Sequence, residues 1–201
     1  MKIRQSIMLL AVAGMVSICA VQADAEEMTE TQTQKTMAKE EKEKEEKKEE
    51  AKEYLEKNGI WTSSESMTMS FYLPDSSWKV DQEGNQGYEC RFVSGENRIE
   101  FQIFSGETAQ IRPEEIPEDE EEMQRMVEEE IEVLEFETEV SEEQTVIRTI
   151  LEFPETEEEI YRYAISFQLY QKDEYLEASA YTDDEQMIYL LLESLSSAEL
   201  L

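Results

Sequence analysis

The side chains that most often carry out enzyme chemistry are scarce in this sequence. Histidine is absent, which removes the commonest general base and the commonest metal ligand. Of two cysteines, only Cys90 lies beyond the N-terminal region. It sits between Tyr88 and Phe92 in an alternating segment, which favours a buried thiol over a nucleophile. Carboxylates are abundant but occur in solvated runs such as 118–122 and 128–130. We therefore expect no catalytic residues and predict a protein that is not an enzyme.

Motifs for cofactors and metals are also missing. None of the six glycines belongs to a Gly-rich loop ahead of a helix, as a phosphate cradle requires. No segment has the Asp/Asn and Gly spacing of an EF-hand. We expect no cofactor and no specific metal site. One alternative stays open, namely a small-ligand or divalent-cation-binding domain that uses an acidic helix face and the concave side of a sheet.

The charge of the chain excludes one large class of partners. There are 50 acidic and 18 basic residues, for a net charge of −32. Residues 58–201 hold 37 of the acidic residues but only 8 of the basic ones, and these 8 are scattered. Nucleic acids and anionic lipids are bound through clusters of Lys and Arg. The sequence therefore predicts no nucleic-acid partner and no electrostatic contact with a membrane.

Residues 1–25 have the pattern of a cleavable export signal. Lys2 and Arg4 precede an apolar stretch at 7–20 that is short for a membrane span. Ala23 and Ala25 supply the small residues that a signal peptidase accepts for a cut after Ala25. The alternative is lipoprotein processing at Cys19, which would add a lipid anchor, although Ile18 replaces the small residue favoured there. The sequence predicts a secreted or extracytoplasmic cell-surface protein, and membrane attachment only if Cys19 is lipidated.

Residues 26–59 predict a charged linker. The stretch 26–35 is polar and rich in Thr and Gln, which is typical of disorder. The stretch 38–57 consists almost entirely of strong helix formers with Glu and Lys at i,i+4 spacing, and Asn58-Gly59 supplies a helix stop. Its few apolar residues form no coiled-coil seam. We therefore predict a semi-rigid, solvated helical spacer.

Residues 60–201 predict one α+β domain with a mainly antiparallel sheet flanked by helices. Alternating segments bounded by turn residues predict strands at 67–73, 77–80, 88–93, 98–104, 136–140, 145–153, 160–170 and 175–181. A helix is predicted to begin at Pro117 and to follow an apolar stripe as far as Leu134. A last helix is predicted from the capping box of Thr182 and Glu185 through Leu195.

Two segments of the domain resemble the PsbP-like superfamily. The run 71–80, FYLPDSSWKV, is similar to the family's opening strand, Leu-Pro, short gap and Trp-Lys. The run 175–181, YLEASAY, with the capped helix that carries LESL at 192–195, is similar to the family's last strand and closing helix. The superfamily includes the photosystem II extrinsic subunit, Ran-binding Mog-type proteins and DUF1795-type bacterial lipoproteins. The resemblance implies an α/β/α sandwich and a non-enzymatic adaptor or assembly role.

These patterns lead to one functional hypothesis. We expect an exported or cell-surface domain that acts without catalysis by binding a protein partner in the cell envelope. The identity of that partner is not encoded in any motif of the sequence.

Overall fold

The computed structural model describes residues 30–82, 84, 87–106, 116–154, 161–171 and 174–201. These residues form the helices α1 (Glu30–Asn58), α2 (Glu120–Met126) and α3 (Ile188–Ser196). The strands of the N-terminal half are β1 (Ile60–Ser63), β2 (Met69–Leu73), β3 (Lys79–Val80), β4 (Cys90–Ser94) and β5 (Asn97–Ser105). The strands of the C-terminal half are β6 (Glu132–Val140), β7 (Gln144–Glu152), β8 (Tyr163–Gln171), β9 (Glu174–Thr182) and β10 (Glu199–Leu200).

The main sheet is antiparallel and has seven strands in the order β3-β4-β5-β9-β8-β7-β6. Tight connections join β4 to β5, β6 to β7 and β8 to β9, so most neighbours in the sheet are also neighbours in the chain. The exception is the β5–β9 pair, which joins the two halves of the chain from Arg98 opposite Tyr181 to Ser105 opposite Glu174. The mainly antiparallel α+β architecture predicted from the alternation of apolar residues is confirmed.

One face of the main sheet forms the core together with β2 and α3. Phe101, Ala178 and Phe167 lie side by side across β5, β9 and β8. The small residue in the middle of this row leaves space above the sheet, and Phe71 of β2 packs there with its ring centroid 4.3 Å from that of Phe101. Leu191 and Leu195 of α3 are fully buried against the same face. The last helix therefore packs on the sheet, as its apolar residues predict.

A second, three-stranded sheet with the order β1-β2-β10 was not expected from the sequence. Its middle strand is pinned to the end of α3 by two serines. The Ser194 hydroxyl donates to the backbone carbonyl of Tyr72, and the backbone N–H of Tyr72 donates to the Ser197 hydroxyl at 2.8 Å. Strands of two and four residues carry too little alternation to be recognised from sequence alone.

The central helix is much shorter than predicted. It begins after Asp119, whose carboxylate accepts a hydrogen bond from the backbone N–H of Glu122, and it ends at Met126. Val127 already has extended backbone, and Leu134 lies within β6. The prediction of a helix through Leu134 was wrong, because pairing with β7 takes the residues from Glu132 onward into the sheet.

The charged linker also differs from expectation at both of its ends. Helix α1 begins at Glu30, so residues 30–35 are helical rather than disordered. Near its C-terminus α1 packs on α3, and Ala51 and Leu55 are buried. The prediction of a solvated spacer holds for Lys39 and Lys42, whose side chains are exposed, but it is wrong for the last three turns.

Candidate functional site

Cys90, the one thiol of the globular part, is buried in the core. Burial and the neighbouring Glu89 raise the pKa of this thiol to about 12. It therefore stays protonated and unreactive at neutral pH, as the alternation of its strand predicts. The predicted processing residues Ala23, Ala25 and Cys19 lie outside the residues that the structure describes.

The face of the main sheet opposite the core carries a group of charged and aromatic side chains, which we call the arginine–tyrosine cluster. Its members come from β4, β5, β9 and the segments beside them: Asp81, Tyr88, Arg91, Arg98, Glu100, Tyr161 and Tyr181. The strand register places Arg91 directly opposite Glu100, and Arg98 directly opposite Tyr181. Strand alternation explains this placement, because Phe92, Ile99 and Phe101 occupy the positions that face the core.

Glu100 is the central carboxylate of the arginine–tyrosine cluster and is almost fully buried. The Nε of Arg98 lies 3.2 Å from its Oε2, and the Nε of Arg91 lies 3.8 Å from the same oxygen. No well-aligned hydrogen bond joins these atoms among the described residues, so the contacts are electrostatic. Burial raises the pKa of Glu100 more than Arg98 and Arg91 lower it.

The arginines of this cluster are held in place by further contacts. The Arg98 guanidinium lies 4.3 Å from the ring centroid of Tyr181 and 5.1 Å from that of Tyr161. Arg91 is within 3.2 Å of Asp81 and donates to the backbone carbonyl of Gly84. The positive charges are therefore largely neutralised within the cluster. Such an arrangement fixes the geometry of one sheet face.

A second feature of this face is a column of three aromatic rings across β5, β9 and β8. Phe104 stacks on Tyr175 with centroids 5.3 Å apart, and Tyr175 stacks on Tyr170 with centroids 4.2 Å apart. Glu177 lies two residues along β9 on the same face, and burial raises its pKa. Glu100 and Glu177 both carry carboxylates on this face, and the charge of Glu100 adds to the rise in the pKa of Glu177.

A third group of polar side chains fastens α1 to the edge of the main sheet. Lys48 donates to Oε1 of Glu137 at 2.6 Å and lies 3.0 Å from Oε1 of Glu135, which is buried. The Tyr189 hydroxyl of α3 donates to the other oxygen of Glu135. Lys44, one turn earlier, donates to the backbone carbonyl of Leu134 at 2.8 Å. We call Lys44, Lys48, Glu135, Glu137 and Tyr189 the helix-docking cluster.

The described residues hold little else that a ligand requires. A shallow cleft of about 280 Å³ is lined by Glu130, Glu132, Glu152, Phe153, Pro154 and Arg162. It is open and smaller than most small-molecule sites. In the described part of the chain, no three acidic or cysteine side chains are grouped to hold a metal ion. Binding of calcium or a small ligand stays a prediction. None of the helices described is long and apolar enough to cross a membrane.

The fold defined by these elements is an α+β fold of the PsbP-like type. The solution structure of cyanobacterial PsbP (CyanoP) from Synechocystis sp. PCC 6803 is similar to this chain with a TM-score of 0.52 and 11% sequence identity. The match covers 72% of this chain and 93% of that one. No family model and no curated protein matches the sequence. The predicted PsbP-like fold is therefore confirmed, while closer kinship with Mog-type or DUF1795-type proteins stays a prediction.

Proposed function

We propose that this chain is an exported, non-catalytic domain that acts in protein interaction or assembly outside the cytoplasm. The pattern of residues 1–25 supports export. The PsbP-like fold supports an accessory role by analogy. The strongly acidic composition supports a protein partner over a nucleic acid.

The docked end of α1 is the observation that carries this proposal. Lys44 and Lys48 bind the edge of the sheet, and Ala51 and Leu55 are buried, so α1 leaves the domain in a fixed direction. Residues 30–43 precede these contacts and span roughly 20 Å as a helix. This arm is a helical extension on the N-terminal side of the domain. Such an extension suits a domain that has to meet a partner in the cell envelope.

The export half of the proposal is tested by the mass of the mature protein recovered from the producing cells. A cut after Ala25 gives a chain that begins at Glu26, whereas lipoprotein processing gives a chain that begins at a lipid-modified Cys19. The matched variants are Cys19→Ser, which blocks only lipidation, and Ala25→Leu, which blocks only the cut after Ala25. Recovery of the wild-type chain with residues 1–18 still attached would contradict export.

The interaction half is tested by crosslinking in intact cells. A photo-crosslinking residue is placed at exposed positions of the globular part, and the proposal predicts a discrete crosslinked protein species from the envelope fraction. The same residue at Lys42, on the exposed side of α1, serves as the control for non-specific capture. The proposal would be wrong if no crosslinked species exceeded the level seen with the Lys42 control and the purified chain showed a hydrolase activity.

A further inference from the structure

Among the residues that the structure describes, no strand pairs with the outer edge of β6. β6 has nine residues and is the last strand in the order of the main sheet, with β7 on its inner side. By contrast, β3 at the opposite end has only two residues. A long unpaired edge presents free backbone N–H and C=O groups that can accept an additional strand.

The turn between β6 and β7 shows which backbone groups point outward. The N–H of Ser141 donates to the carbonyl of Gln144, so these two residues form a hydrogen-bonded pair. Such pairs alternate along an antiparallel ladder. Glu135, Glu137 and Glu139 therefore bond to β7, and the N–H and C=O groups of Phe136, Thr138 and Val140 point to the free edge. The Lys44 contact with the carbonyl of Leu134 agrees with this alternation, because it approaches from outside the sheet.

The side chains of β6 separate into two distinct rows. Glu135, Glu137 and Glu139 share the face toward α1, while Phe136, Thr138 and Val140 share the other face. Val140 is 71% exposed, and the hydroxyl oxygen of Thr138 is buried without a hydrogen-bond partner among the described residues. One face of an added strand would therefore meet carboxylates, and the other would meet uncharged and apolar groups.

The glutamate row already binds basic side chains of its own chain. Lys48 contacts Glu135 and Glu137, and the Arg148 guanidinium lies 2.5 Å from Oε1 of Glu139. The row can bind further basic side chains, since the side chains of Glu137 and Glu139 remain 40% and 68% exposed. In an added strand, the residues opposite Glu137 and Glu139 would occupy non-hydrogen-bonded positions, where side chains approach most closely.

We propose that the β6 edge binds an extended segment of a partner protein in which Lys or Arg alternates with apolar residues. This inference rests on the proposed function and names the surface and the chemistry of the partner. A second copy of the chain is a poor occupant, because antiparallel pairing of two β6 edges places glutamates against glutamates. The net charge of −32 adds to that repulsion.

The test uses the full mature chain and a fluorescent decapeptide that alternates lysine with valine. Saturable binding is expected in a fluorescence anisotropy titration at low salt. The same peptide with glutamate in place of lysine, and a version N-methylated on alternate residues, are expected not to bind. On peptide binding, amide hydrogen exchange is expected to slow at Phe136, Thr138 and Val140. It is expected to stay unchanged at Glu137 and Glu139, which are already bonded to β7.

Two substitutions separate the backbone contribution from the charge. Thr138→Pro removes an outward N–H without touching the bonds to β7, and we expect roughly a tenfold or larger loss of peptide affinity. Glu137→Gln and Glu139→Gln are each expected to weaken binding by roughly two- to fivefold. Glu142→Gln, in the exposed turn beyond β6, is the charge-matched control and should have no effect. Circular dichroism of each variant verifies that the fold is kept.

Several outcomes overturn the inference. Equal binding of the glutamate peptide, or undiminished binding by a folded Thr138→Pro variant, would exclude strand addition at β6. A concentration-dependent dimer that Thr138→Pro abolishes would mean that a second copy occupies the edge. If cell crosslinking captures the same partner with wild type and with Thr138→Pro, the interaction function stands and only the assignment to this edge fails.

Discussion

Replacement of Lys48 by methionine is the sharpest test of whether α1 is part of the folded domain. Methionine keeps the length and the apolar stem of the side chain and removes its charge. In the wild type, the ammonium is held by Glu137 at 2.6 Å and by Glu135 at 3.0 Å. In Lys48→Met, the Glu135 carboxylate remains buried beside α3 with no cation.

The expected loss follows from the burial of the two partners. Removal of one member of a fully buried ion pair costs roughly 3–5 kcal/mol. Lys48 is 18% exposed and Glu137 is 40% exposed, so part of the penalty is relieved by water. We expect a decrease of about 2 kcal/mol in the free energy of unfolding. With a urea m-value of about 2 kcal/mol per molar, the midpoint falls by about 1 M.

The assay is equilibrium urea unfolding near neutral pH, followed by circular dichroism. Lys42→Met is the matched control, because Lys42 lies on the same helix, is 76% exposed and pairs with Glu46. It should shift the midpoint by no more than a few tenths of a molar. The double variant Lys48→Met/Glu135→Gln should regain most of the lost stability, since no buried charge is left alone. Equal shifts for Lys48→Met and Lys42→Met, without rescue by Glu135→Gln, would refute the helix-docking cluster.

The same lysine gives a dependence on pH with a defined sign. Burial lowers the pKa of Lys48, but the hydrogen bonds and charges of Glu137 and Glu135 outweigh it, so the pKa is raised above 10.5. Its stabilising contribution is therefore complete below about pH 10.5 and is lost as the pH rises through the raised pKa. The stability difference between wild type and Lys48→Met should shrink in strongly alkaline buffer.

Three further predictions concern other parts of the domain. Cys90, with its pKa raised to about 12, should not react with Ellman's reagent in the native state and should react at once in urea; rapid native labelling would show that the thiol is accessible. Glu177→Gln should stabilise the domain near neutral pH and have no effect well below pH 4.5, because burial raises the pKa of Glu177 and its ionisation opposes folding; a stability loss at neutral pH would contradict this. Gly95 lies in the turn from β4 to β5 with a φ of +60°, and no atom lies close to the position of an added Cβ. Gly95→Ala should therefore lower the free energy of unfolding by about 1–2 kcal/mol, and Gly95→Asn by less, as thermal unfolding can measure. Equal losses for the two variants would point to a cause other than backbone strain.

The strands were predictable because each carries its own signal. In β8, apolar residues alternate with smaller or polar ones, and the structure places Ile165, Phe167 and Leu169 in the core as that alternation requires. The helix predicted as far as Leu134 shows the limit of this approach. Its apolar residues also suit a short helix followed by an extended segment, and pairing with β7 decides between the two.

The candidate sites were not predictable, because their members come from distant parts of the chain. Glu100 and Tyr181 share a sheet face only because β5 pairs with β9. The docking of α1 left a faint signal, since Lys44, Lys48, Ala51 and Leu55 follow a four-three-four spacing along one face of the helix. The charge pattern predicts that Lys48 is solvated. Its long apolar stem nevertheless allows the ammonium to reach the buried carboxylate of Glu135.

The pairing of β5 with β9 also governs when the domain can form during synthesis. β5 has no partner on its inner side until β9 is present, and β2 lacks one of its two partners until β10 arrives. The contacts that close both sheets are thus among the most distant in sequence, and such contacts form late. A chain that crosses a membrane from its N-terminus would therefore stay incompletely folded until most of its length has passed. If the chain is exported as we propose, folding would be completed only after β9 and β10 have emerged.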